Sequence, residues 1–390
     1  MSDKTIILQP KYVADFQCDG SKCNAKCCGN NWRIDIDVDT YKKYQRIKNP
    51  VIRKKILSSI QPSILQTGFE IKLNEARYCP LLCDDKLCYI QKNLGKDVLS
   101  TTCKGYPRIV RHIGEYQFRI LSMTCPVAAE KALFSSDGME MYNIDDMEDT
   151  TVWQLVARAC EKKDMTNSLF AANIIMGGLS ILQNVSYNME QRMVLLGLFL
   201  DKVEECQNDI KSVFKLIDYY NSVDMNQKMF GLWENWRYYP RAHRQFLVGI
   251  FKVLQEEKRI TSIVPIMPLL TSDYDKLYSD KHQDIQKQLG SILERYWQHE
   301  WIFNAFPFAF NGSIMHNYFA YLIVFEICKI FIYSTYEPSK PWGRKEIFDI
   351  LGELSKYFDH KKGILEILVK ETAYFEQEPL KLMQVLLRLK

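Results

Sequence analysis

The pattern of hydrophobic and polar positions changes near residue 135, from short alternating runs to long stretches with helical spacing. Apolar and polar residues alternate over 32–38 and over 68–73, which predicts two half-exposed strands. The stretch 109–123 alternates on both sides of Gly114 and Glu115, a pattern that predicts a β-hairpin. Short strands are therefore expected in the N-terminal third.

Short helices are predicted around these strands. Asp39 and Thr40 are expected to cap a helix that Pro50 ends, after an extended lead-in over 1–17. The second cysteine group is expected to form a small strand with a tight turn at Asp84. Further short helices are predicted over 51–60, 89–99 and 127–134.

Beyond residue 153 apolar residues recur at helical spacing. The predicted helical segments are 189–219, 246–254, 282–306, 318–332, 344–357 and 379–389. Strand–helix alternation and internal repeats are not visible in this part of the sequence. We therefore predict an α+β fold that is mainly α, in which a small domain with short strands precedes an all-α domain.

The stretch 135–150 contains six acidic residues and no basic residue, and we place the domain boundary there. The predicted organisation is a cysteine-rich metal-cluster domain over 1–134, an acidic linker over 135–152 and an all-helical domain over 153–390. A helical domain of that length is large but within the usual range.

Nine of the twelve cysteines lie within 18–125, among neighbours too polar for ordinary core thiols. In a reducing compartment such density indicates a metal-binding or catalytic centre and not a disulfide framework. They form Cys-x4-Cys-x3-Cys-Cys, then Cys-x3-Cys-x4-Cys, then two single thiols: Cys18, Cys23, Cys27, Cys28, Cys79, Cys83, Cys88, Cys103 and Cys125. The other three, Cys160, Cys206 and Cys328, lie singly in helical segments and are expected to fill the core.

The spacing leaves the metal open between zinc and iron. Zinc sites usually contain Cys-x2-Cys pairs, and none occurs here. The four thiolates of an iron–sulfur cluster tolerate varied spacing because they surround a larger object, so the spacing favours iron–sulfur. The Cys-x3-Cys-x2-Cys signature of radical enzymes that use S-adenosylmethionine is absent from the sequence.

The N-terminal segment, one apolar stretch and the charge balance indicate the compartment and the kind of partner to expect. The N-terminus lacks the basic and apolar regions of a signal peptide, so a cytoplasmic location is expected. The apolar stretch 318–333 is interrupted by Glu326 and Lys329 and is too short to span a bilayer, so we interpret it as a buried helix. Residues 1–130 carry 21 Lys or Arg against 13 Asp or Glu. This excess either compensates metal-bound thiolates or forms a solvated face, and no nucleic-acid partner is expected because the basic residues are dispersed.

Four motifs in the cysteine-rich part resemble a known family. They are Cys18-x4-Cys23-x3-Cys27-Cys28-Gly-x2-Trp32-x2-Asp35-Ile-Asp37-x2-Thr40-Tyr41-x2-Tyr44, Cys79-Pro-x-Leu82-x4-Leu87-Cys88-x-Ile90-Gln91-x2-Leu94-Gly95, Leu99-Ser100-x-Thr102-Cys103-x2-Tyr106-Pro107-Arg108 and Cys125-Pro-x-Ala128-Ala129. Over roughly residues 5–134 these motifs are similar to the flagellin lysine-N-methylase family, whose N-terminal part resembles the broader zinc- or iron-chelating cysteine-cluster domains. A weaker similarity extends to Leu293-Glu-x-Tyr296 and Phe303-x3-Pro307-Phe308.

The resemblance implies N-methylation of lysine side chains on flagellin, with S-adenosylmethionine as donor and a [4Fe-4S] cluster in the cysteine domain. Eight positions match the cysteines of the family motif, and Cys83 is not among them: Cys18, Cys23, Cys27, Cys28, Cys79, Cys88, Cys103 and Cys125. One cluster needs four thiolates. The others could bind a second metal, act as redox-active thiols or be structural.

Methyl transfer would also need a cleft for the reacting groups. Aromatic rings can hold a sulfonium by cation–π contact. Two aromatic sets are candidates for this role, and core packing is the alternative interpretation of both. The first comprises Tyr296, Trp297, His299, Glu300 and Trp301, and the second comprises Trp233, Trp236, Tyr238 and Tyr239 near His243.

The sequence does not locate the donor site. Gly177 and Gly178 lie inside an apolar helical run and follow no predicted strand, so they are not the Gly-rich turn of a dinucleotide-type fold. The alternative to an enzyme is a non-catalytic zinc or iron–sulfur protein whose helical domain recruits a protein partner. A zinc-stapled scaffold is a third hypothesis.

Overall fold

The structure is a computed structural model that describes most of the chain. The described residues are 5–23, 26–29, 32–63, 68–135, 137, 139–144, 151–159, 167–206, 208–256, 274–360, 362–372, 375 and 378–389. They form two compact units. The N-terminal unit comprises the described residues up to His112 and from Gln117 to Ala159, and the helical unit comprises Ile113–Tyr116 and the described residues from Asn167 onwards.

Short strands and short helices make up the described residues before position 160. The strands are β1 (Ile6–Pro10), β2 (Asp35–Ile36), β3 (Ile60–Pro62), β4 (Phe69–Ile71), β5 (Arg108–Ile113), β6 (Tyr116–Leu121) and β7 (Met141–Ile144). The helices are α1 (Lys11–Ala14), α2 (Lys26–Gly29), α3 (Val38–Gln45), α4 (Pro50–Leu57), α5 (Tyr89–Leu94), α6 (Thr101–Gly105), α7 (Pro126–Phe134) and α8 (Thr151–Ala159). Two 3-10 turns lie at Gly20–Cys23 and Lys96–Val98.

A four-stranded sheet has the strand order β5–β6–β1–β7. Strand β1 pairs antiparallel with β7, so that Ile7 lies opposite Ile144. Of the described part of the lead-in predicted to be extended over 1–17, only Ile6–Pro10 is a strand, and it lies in the interior of the sheet. The prediction is wrong at Lys11–Ala14, which form helix α1. Strand β7 lies within the stretch predicted to be an acidic linker, and the position of the domain boundary stays a prediction.

The hairpin predicted around Gly114 and Glu115 is confirmed by β5 and β6. Gly114 adopts a φ of 57°, a left-handed conformation that glycine reaches without steric cost. The helix predicted after Pro126 is confirmed as α7, with Cys125 at its N-cap. This places Cys125 at a defined position directly after the hairpin.

A second sheet has the order β2–β4–β3 and covers a small core that includes Tyr44 and Ile56. The prediction that Asp39 and Thr40 cap α3 is wrong by two residues. Asp37 is the N-cap, because its carboxylate accepts a hydrogen bond from the Thr40 backbone N–H at 2.8 Å. Pro50 does not end this helix either, since it begins α4, where a missing N–H is tolerated.

The second cysteine group forms a turn without a strand. The backbone N–H of Lys86 donates to the carbonyl of Cys83 at 2.9 Å, and an isolated bridge joins Leu82 to Cys88. The helix predicted over 89–99 is shorter, because Gly95 has a φ of 85° and ends α5. The tight turn is confirmed and the strand is not.

Ten helices and no strand occur among the described residues from 167 onwards, so the all-α prediction is confirmed there. They are α9 (Ser168–Leu182), α10 (Met189–Glu204), α11 (Ile210–Tyr220), α12 (Asp224–Glu234), α13 (Pro240–Glu256), α14 (Tyr274–Phe303), α15 (Ile314–Thr335), α16 (Arg344–His360), α17 (Lys362–Glu371) and α18 (Pro379–Leu386).

Helix α15 is the core helix of this unit. Among the described helices it alone is long and apolar enough to cross a membrane, and 83% of its most apolar window is buried. Such burial is typical of a core helix in a globular protein. The prediction of a buried helix over 318–332 is confirmed.

Gly177 and Gly178 lie inside α9, as predicted, and their role is packing. A Cβ on Gly178 would lie 2.4 Å from the ring of Trp301, which is fully buried. The indole N–H of Trp301 donates to the carbonyl of Ile175 at 2.8 Å, so the ring has little freedom to move away.

We expect Gly178→Ala to lower the free energy of unfolding of the helical unit by about 1–3 kcal/mol, because the methyl group overpacks the core. Gly249→Ala on α13 is the matched control, since nothing lies within 4 Å of its Cβ position. The control should be neutral or should stabilise by up to about 1 kcal/mol through helix propensity. Denaturant unfolding followed by circular dichroism measures both, and equal effects of the two substitutions would contradict this packing.

Candidate functional site

The first cysteine group meets the second through helix α2. The sulfur atoms of Cys27 and Cys28 lie 3.8 Å apart on this helix. The indole N–H of Trp32 donates to the carbonyl of Cys27 at 2.9 Å, and the backbone N–H of Cys79 donates to the carbonyl of Cys28 at 2.7 Å. Thiols about fifty residues apart in sequence are thereby neighbours in space.

Cys28 shares hydrogen bonds with both of its thiol neighbours. These bonds lower the pKa of Cys27 and that of Cys79, and they raise the pKa of Cys28 itself. Of these three thiols Cys28 is therefore the last to lose its proton. The thiolate is the form in which cysteine binds a metal.

Cys88 and Cys103 extend this group. Burial raises the pKa of Cys88, and negative charge on Cys79 and Cys27 raises it further. Cys103 is accessible to solvent, yet burial raises its pKa to about 12, with further contributions from Cys88 and Cys79. Cys103 is thus reachable from solvent while protein atoms surround its thiol. We call Cys27, Cys28, Cys79, Cys88 and Cys103 the Cys27 set.

Hydrogen bonds at two helix starts hold Cys103 in this place. The hydroxyl of Ser100 caps α6 by accepting from the Cys103 backbone N–H at 3.3 Å. The carboxylate of Asp37 accepts from the backbone N–H of Thr101 at 3.2 Å while it caps α3. One aspartate therefore joins the start of α3 to the helix that carries Cys103.

Cys18, Cys23 and Cys125 form a second group, the Cys125 set. Cys125 is buried, and burial raises its pKa to about 12, with a smaller contribution from the charges of Cys23 and Cys18. Burial lowers the pKa of Arg108, whereas Cys18 and Cys125 raise it, so the guanidinium lies close enough to these thiols to interact with them.

Tyr106 lies near thiols of both cysteine sets. Burial raises the pKa of Tyr106, and the thiols Cys125, Cys27 and Cys23 raise it further. Within the described ranges, no group of three or more His, Cys, Asp or Glu side chains has the geometry to hold a metal ion. The metal centre at the eight cysteines stays a prediction.

The remaining cysteines lie apart from both sets. Cys83 is half-buried, and its backbone N–H donates to the Leu87 carbonyl at 2.9 Å. Cys328 is fully buried in α15, as expected of core filler, whereas Cys206 is half-buried at the end of α10. Cys160 lies outside the described residues.

The first aromatic candidate set lies on α14 and is buried. Tyr296, Trp297 and Trp301 are each at most 3% exposed, and the Trp297 ring lies 5.0 Å from that of Phe325. His299 and Glu300 are buried beside them, with 3.4 Å between His299 Nδ1 and Glu300 Oε1. These are contacts of core packing, and Trp297 additionally lines a pocket.

The second aromatic set is more exposed. Trp236 is buried and its indole N–H donates to the carbonyl of Leu387 at 3.0 Å, whereas Trp233 is half-buried and Tyr239 is exposed. The hydroxyl of Tyr238 lies 3.1 Å from Nδ1 of the buried His243. A role for either set in cofactor binding stays a prediction.

Sequence reasoning missed a buried charge network in the helical unit. Lys329 Nζ lies 2.6 Å from Glu326 and 3.5 Å from Glu190, and His243 Nε2 lies 3.4 Å from Glu326. Burial alone would raise the pKa of Glu326 and lower that of Lys329. The charge of each group has the opposite effect on the pKa of the other, so both remain ionised. The signal was the spacing of Glu326 and Lys329 within an apolar helix, which places both on one face.

The chain thus combines two units. One is cysteine-rich, and the other is all-helical and contains a buried charge network. A family model described as "FliB lysine N-methylase C-terminal domain" matches residues 178–387, just over half of the chain. The chain therefore belongs to the FliB lysine N-methylase family.

Curated relatives agree with this family. The chain is 36% identical over 140 residues to "Flagellar biosynthetic protein FliU" of Salmonella muenchen, which covers 35% of this chain and 81% of that protein. It is also 36% identical over 140 residues to "Lysine-N-methylase" of Salmonella choleraesuis and of Salmonella typhimurium. These matches span about a third of the length of the two lysine-N-methylases, 34% in each case. No solved structure matches the chain significantly.

We expect Lys329→Met to destabilise the helical unit by about 3–5 kcal/mol, because it leaves two buried carboxylates without their cation. The double variant Glu326→Gln with Lys329→Met removes the pair together and should lose clearly less stability. Denaturant unfolding of both variants and of Glu326→Gln alone completes the cycle. Strict additivity of the two single effects would contradict the pairing.

Proposed function

We propose that this protein transfers methyl groups from S-adenosylmethionine to lysine side chains of flagellin, and that its N-terminal unit holds a [4Fe-4S] cluster. The observation that carries the proposal is the match of the lysine N-methylase domain to the helical unit. The relatives' names, "Lysine-N-methylase" and "Flagellar biosynthetic protein FliU", support lysine as acceptor and the flagellum as the source of the substrate.

The Cys27 set offers the ligands for the cluster. Its five thiols come from α2, the loop at Cys79, the start of α5 and α6, and they perturb one another's charge. Thiolates are the ligands of iron–sulfur clusters and also suit zinc, which is the alternative occupant. A bound cluster would supply electron transfer or would hold the unit together. The Cys125 set would hold a second metal, act in redox chemistry or be structural.

The acceptor lysine must lose a proton before its nitrogen can attack a methyl group. At pH 7 this costs about 4.6 kcal/mol for an ordinary lysine. Lys329 cannot accept that proton, because the buried carboxylates around it hold its pKa far above its ordinary value.

The partner of this reaction is flagellin as a protein substrate, and the cytoplasm is the compartment in which unassembled flagellin and reduced thiols coexist. The basic excess of the N-terminal unit is dispersed, which supports a protein partner over a nucleic acid.

The test is a methylation assay with anaerobically reconstituted protein, purified flagellin and labelled S-adenosylmethionine. We expect label in lysine residues of flagellin. Cys28→Ser should reduce incorporation roughly tenfold or more, because it removes the central thiol of the Cys27 set. Cys206→Ser, outside both sets, is the matched control and should retain activity.

Two results would contradict the proposal. No incorporation by the iron-loaded parent protein would leave a non-catalytic metal-binding protein as the better account. Full incorporation by Cys28→Ser would separate the activity from the cysteine centre.

A further inference from the structure

A pocket opens between helices α10, α14 and α15 of the helical unit. Its volume of about 410 Å³ includes the open solvent at its mouth, and the enclosed space is much smaller. Gly290 and Gln286 line it on α14, where Gln286 is exposed and Gly290 is buried, and the buried Glu190 and Trp297 line it as well. Gly290 adds no side chain to this wall of the pocket.

Aromatic rings form one side of this pocket. Trp297 and Phe325 meet edge to face, with ring centroids 5.0 Å apart. The ring of Tyr333 adds a third aromatic surface. The faces of such rings attract cations, and their area also packs against methylene groups.

The charges that line the pocket favour a cation. Glu190, Glu294 and Lys329 are the charged side chains on its wall. Lys329 is matched by Glu326 at 2.6 Å, and Glu294 is matched by Arg192 at 3.1 Å. Glu190 is 4% exposed and lies 3.5 Å from Lys329, which already has a closer partner. The three charged side chains on the pocket wall, two carboxylates and one ammonium, therefore sum to one negative charge.

The hydrogen-bond groups distinguish one organic cation from another. A primary ammonium carries three N–H donors, and the pocket offers acceptors at Glu190, Glu294 and the hydroxyl of Tyr333. That hydroxyl lies 2.6 Å from Nδ1 of His282, to which it can donate while it accepts from a ligand. A sulfonium has no N–H donors and would make no hydrogen bond to these acceptors.

We propose that this pocket binds the side chain of the acceptor lysine, with its ammonium group between Glu190 and Glu294 and its methylenes against Trp297 and Phe325. This inference rests on the proposed methyltransferase function, because it assigns the acceptor site of that reaction. On this assignment the methyl donor binds elsewhere, because its sulfonium has no N–H donors for these acceptors.

The probe for binding is Nα-acetyl-lysine methylamide, titrated into the full-length protein without a methyl donor and followed by calorimetry and tryptophan fluorescence. We expect saturable binding and at least tenfold weaker binding of the norleucine analogue, which lacks the ammonium. Gly290→Leu should abolish binding, because the leucine side chain would occupy space on the α14 wall of the pocket. Gly249→Leu on α13, where the Cβ position is open, is the matched control and should bind as the parent does.

A second variant, Glu190→Gln, keeps the shape of the pocket and removes one charge, so binding should weaken about tenfold or more. Circular dichroism and thermal unfolding establish that both variants are folded. Equal binding by the parent and Gly290→Leu, equal binding of lysine and norleucine probes, or displacement of the lysine probe by S-adenosylmethionine would overturn the inference.

The two proposals can fail separately. Binding of the lysine probe without any methylation of flagellin would support the lysine-binding pocket and contradict the proposed methyltransferase activity. Methylation by the parent and by Gly290→Leu at the same rate would support the methyltransferase activity and contradict the pocket as its acceptor site.

Discussion

The hydrogen bond from the Cys79 backbone N–H to the Cys28 carbonyl, 2.7 Å long, holds the two cysteine groups together. Around it, Cys28 contacts thiols on both sides, and α5 and α6 supply two more. Five thiols are thereby gathered by a unit of very short elements. Ionising several of them together is electrostatically unfavourable without a cation, so a bound metal would stabilise the thiolate form.

The helical unit meets a different constraint. Helix α15 is buried along nearly its whole length, and it nonetheless carries Glu326 and Lys329. Two ionised groups are tolerated in this core because each is paired, and Glu190 and His243 complete the network. The same network forms part of a pocket wall, through Glu190 and Lys329.

Local patterns predicted much of the fold. Alternation around Gly114 and helical spacing beyond residue 153 were sufficient for the hairpin and the all-α unit. The cap of α3 was misplaced because Asp37 and Asp39 are equally suitable in sequence, and only the folded chain decides which carboxylate reaches the Thr40 amide. The sheet position of β1 depends on β7, more than 130 residues away, and no local pattern contains that pairing. The pocket was missed because three separate helices build it.

The central claim is that the N-terminal unit is built around a thiolate-bound iron–sulfur centre. The most direct test is metal and sulfide analysis of anaerobically isolated protein together with its absorption spectrum. The account predicts a brown protein with about four iron and four sulfide per chain and a broad thiolate-to-iron absorption band. A colourless protein that contains zinc and no iron would contradict it.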